Sequence, residues 1–342
     1  MIITQTPLRI SFLGGGTDYP EYFERHGGAV LGTAVDKSCY FSMSRFYSQM
    51  FDYAVRLSYR KVECVADVSE VEHVPFRECM RWAGVTKDVE IQHAAELPAM
   101  TGLGSSSSFV VGLLNTIYAF QRRALPPLEL AYEAIELERK VLGESVGVQD
   151  QTFAAVGGFN LIEFRRMGQF VVHRLPIGPA RLSELEGNLL CFFTGIRRRA
   201  EDLAKAQVKR VGRNIERLGR MRKMVDEGYA IITGDGSLTA FGELLDRSWN
   251  MKRELDGGIT NATIDQYYET GKAAGAIGGK LLGAGGGGFL LFFAPPERQE
   301  AIRHAFRDLV EVRFQLDAPG SHVLHSKLSS QFASDMPERK AA

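Results

Sequence analysis

The sequence predicts an α+β chain of two domains, and three observations carry that prediction. At 342 residues the chain exceeds one typical hydrophobic core. Its first half is strand-rich around a single glycine/serine loop. Its second half alternates strand-like and helical segments. The break falls at residues 182–186, ahead of a densely charged stretch, and gives domains 1–183 and 184–342.

Each element follows from local pattern. Residues 2–12 alternate and are rich in β-formers, which reads as a strand. The string GGGTDYP at 14–20 lets backbone approach a ligand closely, with Thr17 and Asp18 as hydroxyl-binding groups. It equally suits a plain turn with Asp18 capping the next segment. Residues 29–43 read as a strand pair, 51–59 and 89–94 as further strands, and 71–83 as a helix. The loop 96–109, ELPAMTGLGSSSSF, leads from a strand into an apolar helix over 109–121. Pro126-Pro127 opens the next helix and Gly143 ends it. Residues 144–160 set Asp150 and Gln151 among small residues. A hairpin over 159–164 and 169–175 turns at Met167-Gly168, and 188–193 is a buried strand. Residues 196–222, headed by Arg197-Arg198-Arg199, are mostly a solvated helix face. Helices over 238–255 and 260–276, a glycine tract at 278–288, a strand over 289–293, a helix over 296–309 and strands over 310–316 and 322–324 complete the fold.

Composition narrows the function. Hydrophobic residues make up 45% and charged residues 24%, a globular balance. Lys+Arg and Asp+Glu are equal at 41, so no charge excess favours nucleic acid or an anionic membrane. Cys39, Cys64, Cys79 and Cys191 form no CxxC pair and read as reduced, mostly buried thiols of a cytoplasmic protein. No basic-then-apolar leader follows Met1. The longest apolar run, 281–294, is too short and glycine-rich to span a bilayer. Seven histidines without an HExxH pattern argue against a zinc site.

Three stretches carry chemistry. The 96–109 loop points backbone N–H groups and a helix N-terminus at one spot, which suits an anion. An ordinary helix cap is the competing reading. No GxxxxGK[ST] occurs, so this is not a Walker loop. The tract Gly283-Ala284-Gly285-Gly286-Gly287-Gly288 matches GxGxxG in form, but a dinucleotide site needs a strand before it and a helix after. The pattern here places a helix before and a strand after. The tract therefore reads as backbone packed on a ligand or on the other domain. Combined with the carboxylates between them, these stretches could supply a triphosphate cradle, magnesium held through Ser106 and a carboxylate such as Glu138, Asp150 as acceptor of a hydroxyl proton, and Asp18 to position the attacking alcohol or sugar. That is the parts list of a phosphotransferase.

PLRISFLGGGTDY, LPAMTGLGSSSS and KLLGAGGGG, in that order and spacing, resemble the three motifs of the GHMP kinase superfamily across nearly the whole chain. The strings GVQDQTFAAVGGFN, FTGIRRRA and SWNMKRELDGGITN are similar to the branch acting on heptose 7-phosphates. The resemblance implies an N-terminal domain like ribosomal protein S5 domain 2 and a ferredoxin-like C-terminal domain. It implies ATP and Mg²⁺, with Gly102, Leu103, Gly104, Ser105, Ser106 and Ser107 around the phosphates. Ser106 and Glu138 would ligate magnesium, Asp150 would be the catalytic aspartate and Arg9 the arginine beside it. Gly14, Gly15, Gly16, Thr17 and Asp18 would bind the sugar, and Gly285 and Gly286 would border it. The expected reaction is transfer to the anomeric hydroxyl of a sugar phosphate. Candidates for its phosphate are Arg198 and Lys252, then Arg199 and Arg253. The implied partners are small molecules, with monomer and homodimer both open.

Two departures shape this expectation. Galactokinase-like members have Gly-Glu-His where Gly14-Gly15-Gly16 stands, which argues against galactose. Met100 replaces a small residue, so the phosphate-contacting part narrows to 102–107. A neutral-sugar kinase of fucokinase type is the alternative. A non-enzymatic ATP- and sugar-binding regulator would require loss of Asp150 or of the magnesium ligands, all of which are present.

Overall fold

β1 (Ile2–Leu13) is second from one edge of the larger of two sheets in the computed structural model, which describes residues 1–197 and 200–327, with backbone alone at 200–202. The short helix α1 (Pro20–His26) leads into β2 (Gly28–Arg45), a strand of 18 residues antiparallel to β1. The sequence predicts two strands there. One forms because β2 keeps its pairing with β1 through an irregularity at Pro7/Leu8 rather than breaking at a turn. β3 (Val55–Ser58), β4 (Val62–Val65), helix α2 (Val74–Trp82) and β5 (Val89–Ala95) extend the sheet on one side.

Helix α3 (Ser105–Phe120) begins four residues before its expected start, so the four serines form its first turn instead of the loop. The following Val110, Val111, Leu113, Leu114, Ile117 and Tyr118 are all buried, which makes this a core helix apolar on nearly every face. Helix α4 (Pro127–Glu136) continues into a π turn, Leu137–Val141, which carries Glu138. Helix α5 (Gln149–Val156) holds Asp150 in its first turn. β6 (Phe159–Phe164) and β7 (Phe170–Arg174) form the expected hairpin, with Met167 and Gly168 both at positive φ in the turn. Helix α6 (Pro179–Gly187) occupies the stretch where the break was expected, with Leu185 buried.

The second sheet starts with β8 (Leu189–Phe193). Helices α7 (Ala200–Arg210), α8 (Ile215–Thr233), α9 (Thr239–Arg253) and α10 (Ala262–Ala273) follow. β9 (Gly278–Leu281), β10 (Phe289–Phe293), α11 (Pro296–Ala305) and β11 (Val310–Glu311) close it. Its strand order, β11-β8-β10-β9, is antiparallel throughout and is the ferredoxin-like arrangement. The glycine tract is therefore the turn of a β9–β10 hairpin, not a stretch entered from a helix. The chain then returns to the first sheet, where β12 (His322–Ser326) pairs with β1.

One apolar core joins the two halves. Phe12 of β1 lies between Phe159 and Phe241, with ring centroids 5.6 and 5.5 Å away. Leu282, Phe289 and Phe293 belong to the same cluster. Cys39, Cys79 and Cys191 are buried and Cys64 exposed, all as free thiols. Among the described residues no helix is long and apolar enough to cross a membrane.

Candidate active site

The loop before α3 is pinned from two sides. From β1, the Arg9 backbone N–H donates to Leu103 O at 3.0 Å and its Nη1 to Gly102 O at 2.7 Å. From the second sheet, the glycine tract lies directly against it. A Cβ on Gly102 would sit 2.4 Å from Leu282 O, and one on Gly283 would sit 2.5 Å from the Gly102 Cα. Both residues also have φ near +80°, so glycine is required on steric and conformational grounds. Gly104 then caps α3 in the left-handed region, at φ 76, and no side chain caps the helix there. The uncapped N-terminus, with Gly104, Ser105, Ser106 and Ser107, opens onto a cavity of about 440 Å³.

Asp150 faces the same cavity. Arg9 grips it with Nε to Oδ1 at 2.8 Å and Nη2 to Oδ2 at 2.6 Å. The arginine side chain is 5% exposed and the aspartate 24%, so the carboxylate is anchored yet open to a ligand. A Cβ on Gly104 would lie 3.3 Å from Asp150 Oδ2, which sets the carboxylate against the start of α3.

Deeper in the cavity lies a second polar group. Asp18 is buried, and its Oδ1 accepts the Gly16 N–H at 2.9 Å. Burial raises its carboxyl pKa, and the charge of Asp150 adds to the rise. Gly147 leaves it room, since a Cβ there would fall 1.9 Å from Asp18 Oδ2. Lys252 Nζ donates to Gly283 O at 2.7 Å. Its burial lowers the ammonium pKa to about 8, against the pull of Asp18. Lys280 lies beside them, donating to Ser11 O and Phe12 O at 2.6 and 2.8 Å, with burial holding its pKa well below the ordinary value. The cavity also has an aromatic lining. His73 and His93 flank Phe109 at centroid distances of 5.2 and 4.9 Å. Burial lowers the pKa of both imidazoles, that of His93 to about 4.

Glu138 is fully buried beneath the first turn of α3. Ser107 Oγ donates to its Oε2 at 3.0 Å, and Gln151 donates to the same oxygen. Its Oε1 has no hydrogen-bond partner. Burial raises the carboxyl to about 8. A desolvated carboxyl with one orphaned oxygen, next to the Ser107 hydroxyl, would suit a hard divalent cation, whose charge would favour the ionised form.

The structure brings Arg9, Gly15, Gly16, Asp18, Gly102, Gly104, Ser105, Ser106, Ser107, Asp150 and Lys252 to one cavity. It does not bring every expected residue there. Leu103 points into the core, and only its backbone serves the loop. The Thr17 hydroxyl is buried between Gly14 O and Ala29 O, so it ties the turn together and does not face a ligand. Gly14 packs on Ala29 O. Gly285 packs on Ile259, and the Gly286 N–H donates to Ile259 O at 2.9 Å, so both brace the hairpin. Glu138 hydrogen-bonds Ser107, whereas Ser106 is exposed on the cavity rim. Arg253 is held away by Asp265 and Asn250. Arg198 and Arg199 lie outside the described residues. Sequence reasoning missed Ser11, Gln149, Lys280, His73 and His93. A lysine between a glycine pair and a leucine pair, GGKLL, was the one legible signal among them.

Comparison with known proteins gives consistent results. The model described as GHMP kinases N terminal domain matches residues 68–158, and GHMP kinases C terminal matches 200–312. A D-glycero-alpha-D-manno-heptose 7-phosphate kinase of Campylobacter jejuni is 29% identical over 90% of this chain and 93% of its own length. An L-fucokinase/L-fucose-1-P guanylyltransferase of Bacteroides fragilis is 25% identical over 87% of this chain and 35% of its own. The crystal structure of a D-glycero-D-manno-heptose 1-phosphate kinase from Bacteroides thetaiotaomicron superposes with a TM-score of 0.79 at 24% identity, covering 96% of this chain and all of that one.

Proposed function

This chain belongs to the GHMP kinases, a phosphotransferase acting on a sugar hydroxyl, and from that premise we propose that it phosphorylates the anomeric hydroxyl of D-glycero-D-manno-heptose 7-phosphate to give the 1,7-bisphosphate, in nucleotide-activated heptose synthesis for surface polysaccharide. The observation that carries this reading is the uncapped start of α3 set against the Arg9–Asp150 pair in one cavity. The helix N-terminus and Gly102–Ser107 backbone receive the ATP phosphates. The aromatic lining around Phe109 takes the base. The acceptor lies with Asp18 and Lys252.

The acceptor oxygen attacks the γ-phosphorus in line, its bond to the β–γ bridging oxygen breaks, and ADP leaves. Asp150 orients the hydroxyl and takes its proton as the new O–P bond forms. Arg9 fixes the orientation of that carboxylate and balances its charge. Glu138 and Ser106, with Ser107 positioning Glu138, would hold Mg²⁺, which supplies charge neutralisation of the triphosphate when bound. The free thiols accord with a cytoplasmic site of action.

A neutral-sugar kinase is the second reading. The similarity to the fucokinase favours it, as does the fact that Arg9 is committed to Asp150 while Lys252 and Lys280 each bind backbone carbonyl oxygen. An ADP-release screen over phosphorylated and free sugars decides between them. Preference for the heptose 7-phosphate supports the first reading, and equal rates on the unphosphorylated heptose overturn it.

A further inference from the structure

Two residues that line the cavity, Ser11 and Gln149, each carry a buried polar atom without a partner, Ser11 Oγ and Gln149 Oε1. Ser11 is 5% exposed and Gln149 9%. Such atoms burden the free protein unless a ligand satisfies them.

Both are held in place. Ser11 sits where the β1–β2 register shifts between Ser11 and Leu13, an irregularity of the kind that re-aims a side chain. Lys280 clamps the carbonyls of Ser11 and Phe12, so the hydroxyl has a fixed base. Gln149 opens α5 one residue before Asp150. Its amide acts on the Asp18 carboxyl as a polar neighbour that favours the charged form, and its Oε1 has no partner. The two side chains converge over Gly15. A Cβ there would lie 3.8 Å from Ser11 Oγ, 3.9 Å from Gln149 Nε2 and 3.8 Å from Lys252 Nζ. The space above Gly15 is thus a small polar pocket bounded by Ser11, Asp18, Gln149 and Lys252.

We propose that Ser11 and Gln149 select the acceptor, each taking one hydroxyl of a polyhydroxylated substrate next to the hydroxyl that receives phosphate. The proposal rests on the sugar-kinase reading above. Gln149 Oε1 only accepts, so it requires a hydroxyl that donates. Ser11 Oγ both gives and accepts, and adapts to the neighbouring hydroxyl. Gln149 and Asp150 both line the cavity from the first turn of α5, so a hydroxyl taken by Gln149 lies in the same cavity as the reacting one. Acceptors lacking either hydroxyl leave a buried atom unsatisfied, which a site of this kind rejects strongly.

The test measures kcat/KM for the best acceptor and its monodeoxy analogues with wild-type enzyme, Ser11→Ala and Gln149→Met. Wild type loses roughly 10- to 100-fold for removal of either recognised hydroxyl. Ser11→Ala abolishes the discrimination at one position and Gln149→Met at the other. Thermal melting gives a readout that a purely structural role would not reproduce. Free Ser11→Ala melts at or above the wild-type temperature, because it removes an unpartnered hydroxyl, while the rise in Tm on adding acceptor shrinks. Unchanged discrimination ratios in an active Ser11→Ala enzyme overturn the proposal alone. Absence of phosphorylation of any sugar by the wild type overturns the kinase reading and this proposal with it. Where Gln149→Met does not fold, Ser11→Ala decides.

Discussion

Arg9 and Asp150, 141 positions apart, meet through two parallel hydrogen bonds, of 2.8 and 2.6 Å, at the mouth of α3. A two-point contact fixes rotation as well as position, so one carboxylate face is committed to arginine while the group stays partly open to the cavity. The same arginine holds Gly102 O, which couples the position of the proton acceptor to that of the phosphate loop.

Asp150→Asn keeps the shape of the side chain and removes its charge. Turnover should fall by about 10²–10⁴. Affinity for Mg·ATP should hold or tighten, because Arg9 keeps its charge beside the phosphates. Single-turnover phosphorylation together with nucleotide binding checks this, and near-wild-type turnover would remove Asp150 from the mechanism.

Glu138 has its folded pKa raised from 4.5 to about 8. For a raised pKa, the stabilising contribution is full below the unfolded value and is lost as pH climbs through the folded one. Metal-free protein should therefore lose stability between about pH 4.5 and pH 8, by an amount on the order of a few kcal/mol. Glu138→Gln should flatten that window, and Mg·ATP should offset the loss in wild type only. Melting curves from pH 4.5 to 8.5 test it, and parallel profiles for both proteins would contradict it.

Ser106 and Ser107 have separate tasks. Ser107 donates to Glu138, and Ser106 is exposed at the cavity rim. Ser106→Ala should raise the magnesium concentration for half-maximal rate several-fold. A magnesium titration unchanged by Ser106→Ala but shifted by Ser107→Ala would reassign the hydroxyl ligand.

Lys252 has its pKa lowered from 10.5 to about 8 by burial. For a lowered pKa, the stabilising contribution is full above the unfolded value and is lost as pH falls through the folded one, so burial of Lys252 costs stability between about pH 10.5 and pH 8. For binding the direction is opposite. The charge that attracts an anionic acceptor is present below about pH 8 and lost above it. KM for the sugar phosphate should rise past that pH while KM for ATP does not, and Lys252→Gln should raise KM and abolish the pH dependence. A pH-independent KM in wild type would place the acceptor phosphate elsewhere.

Gly147→Ala inserts a methyl group 1.9 Å from Asp18 Oδ2. Asp18 must move, which breaks its bond to Gly16 and its link to Gln149. Catalytic efficiency toward the sugar should fall at least tenfold, with stability reduced by about 1–3 kcal/mol. Unaltered acceptor kinetics would mean that the Asp18 position does not matter for binding.

The two-domain α+β layout, the hairpin at 159–174, a glycine/serine loop entering a helix and the partnership of Asp150 with Arg9 were all legible in sequence. Periodicity, turn residues and ordered motifs are local signals, and motif order carried the long-range pairing by resemblance. The start of α3 was misplaced because serines suit both a loop and a first helical turn. What only the tertiary structure decided is which way each polar side chain turns. Thr17 bonds inward to Ala29, Ser107 takes Glu138, and Lys280 reaches from one sheet to the end of β1 in the other. The orphaned oxygens of Ser11 and Gln149 belong to the same class. Sequence by itself determined the residue types and the elements that carry them. Whether a buried polar atom finds a partner depends on contacts between segments far apart in the chain, and only the packed fold sets those.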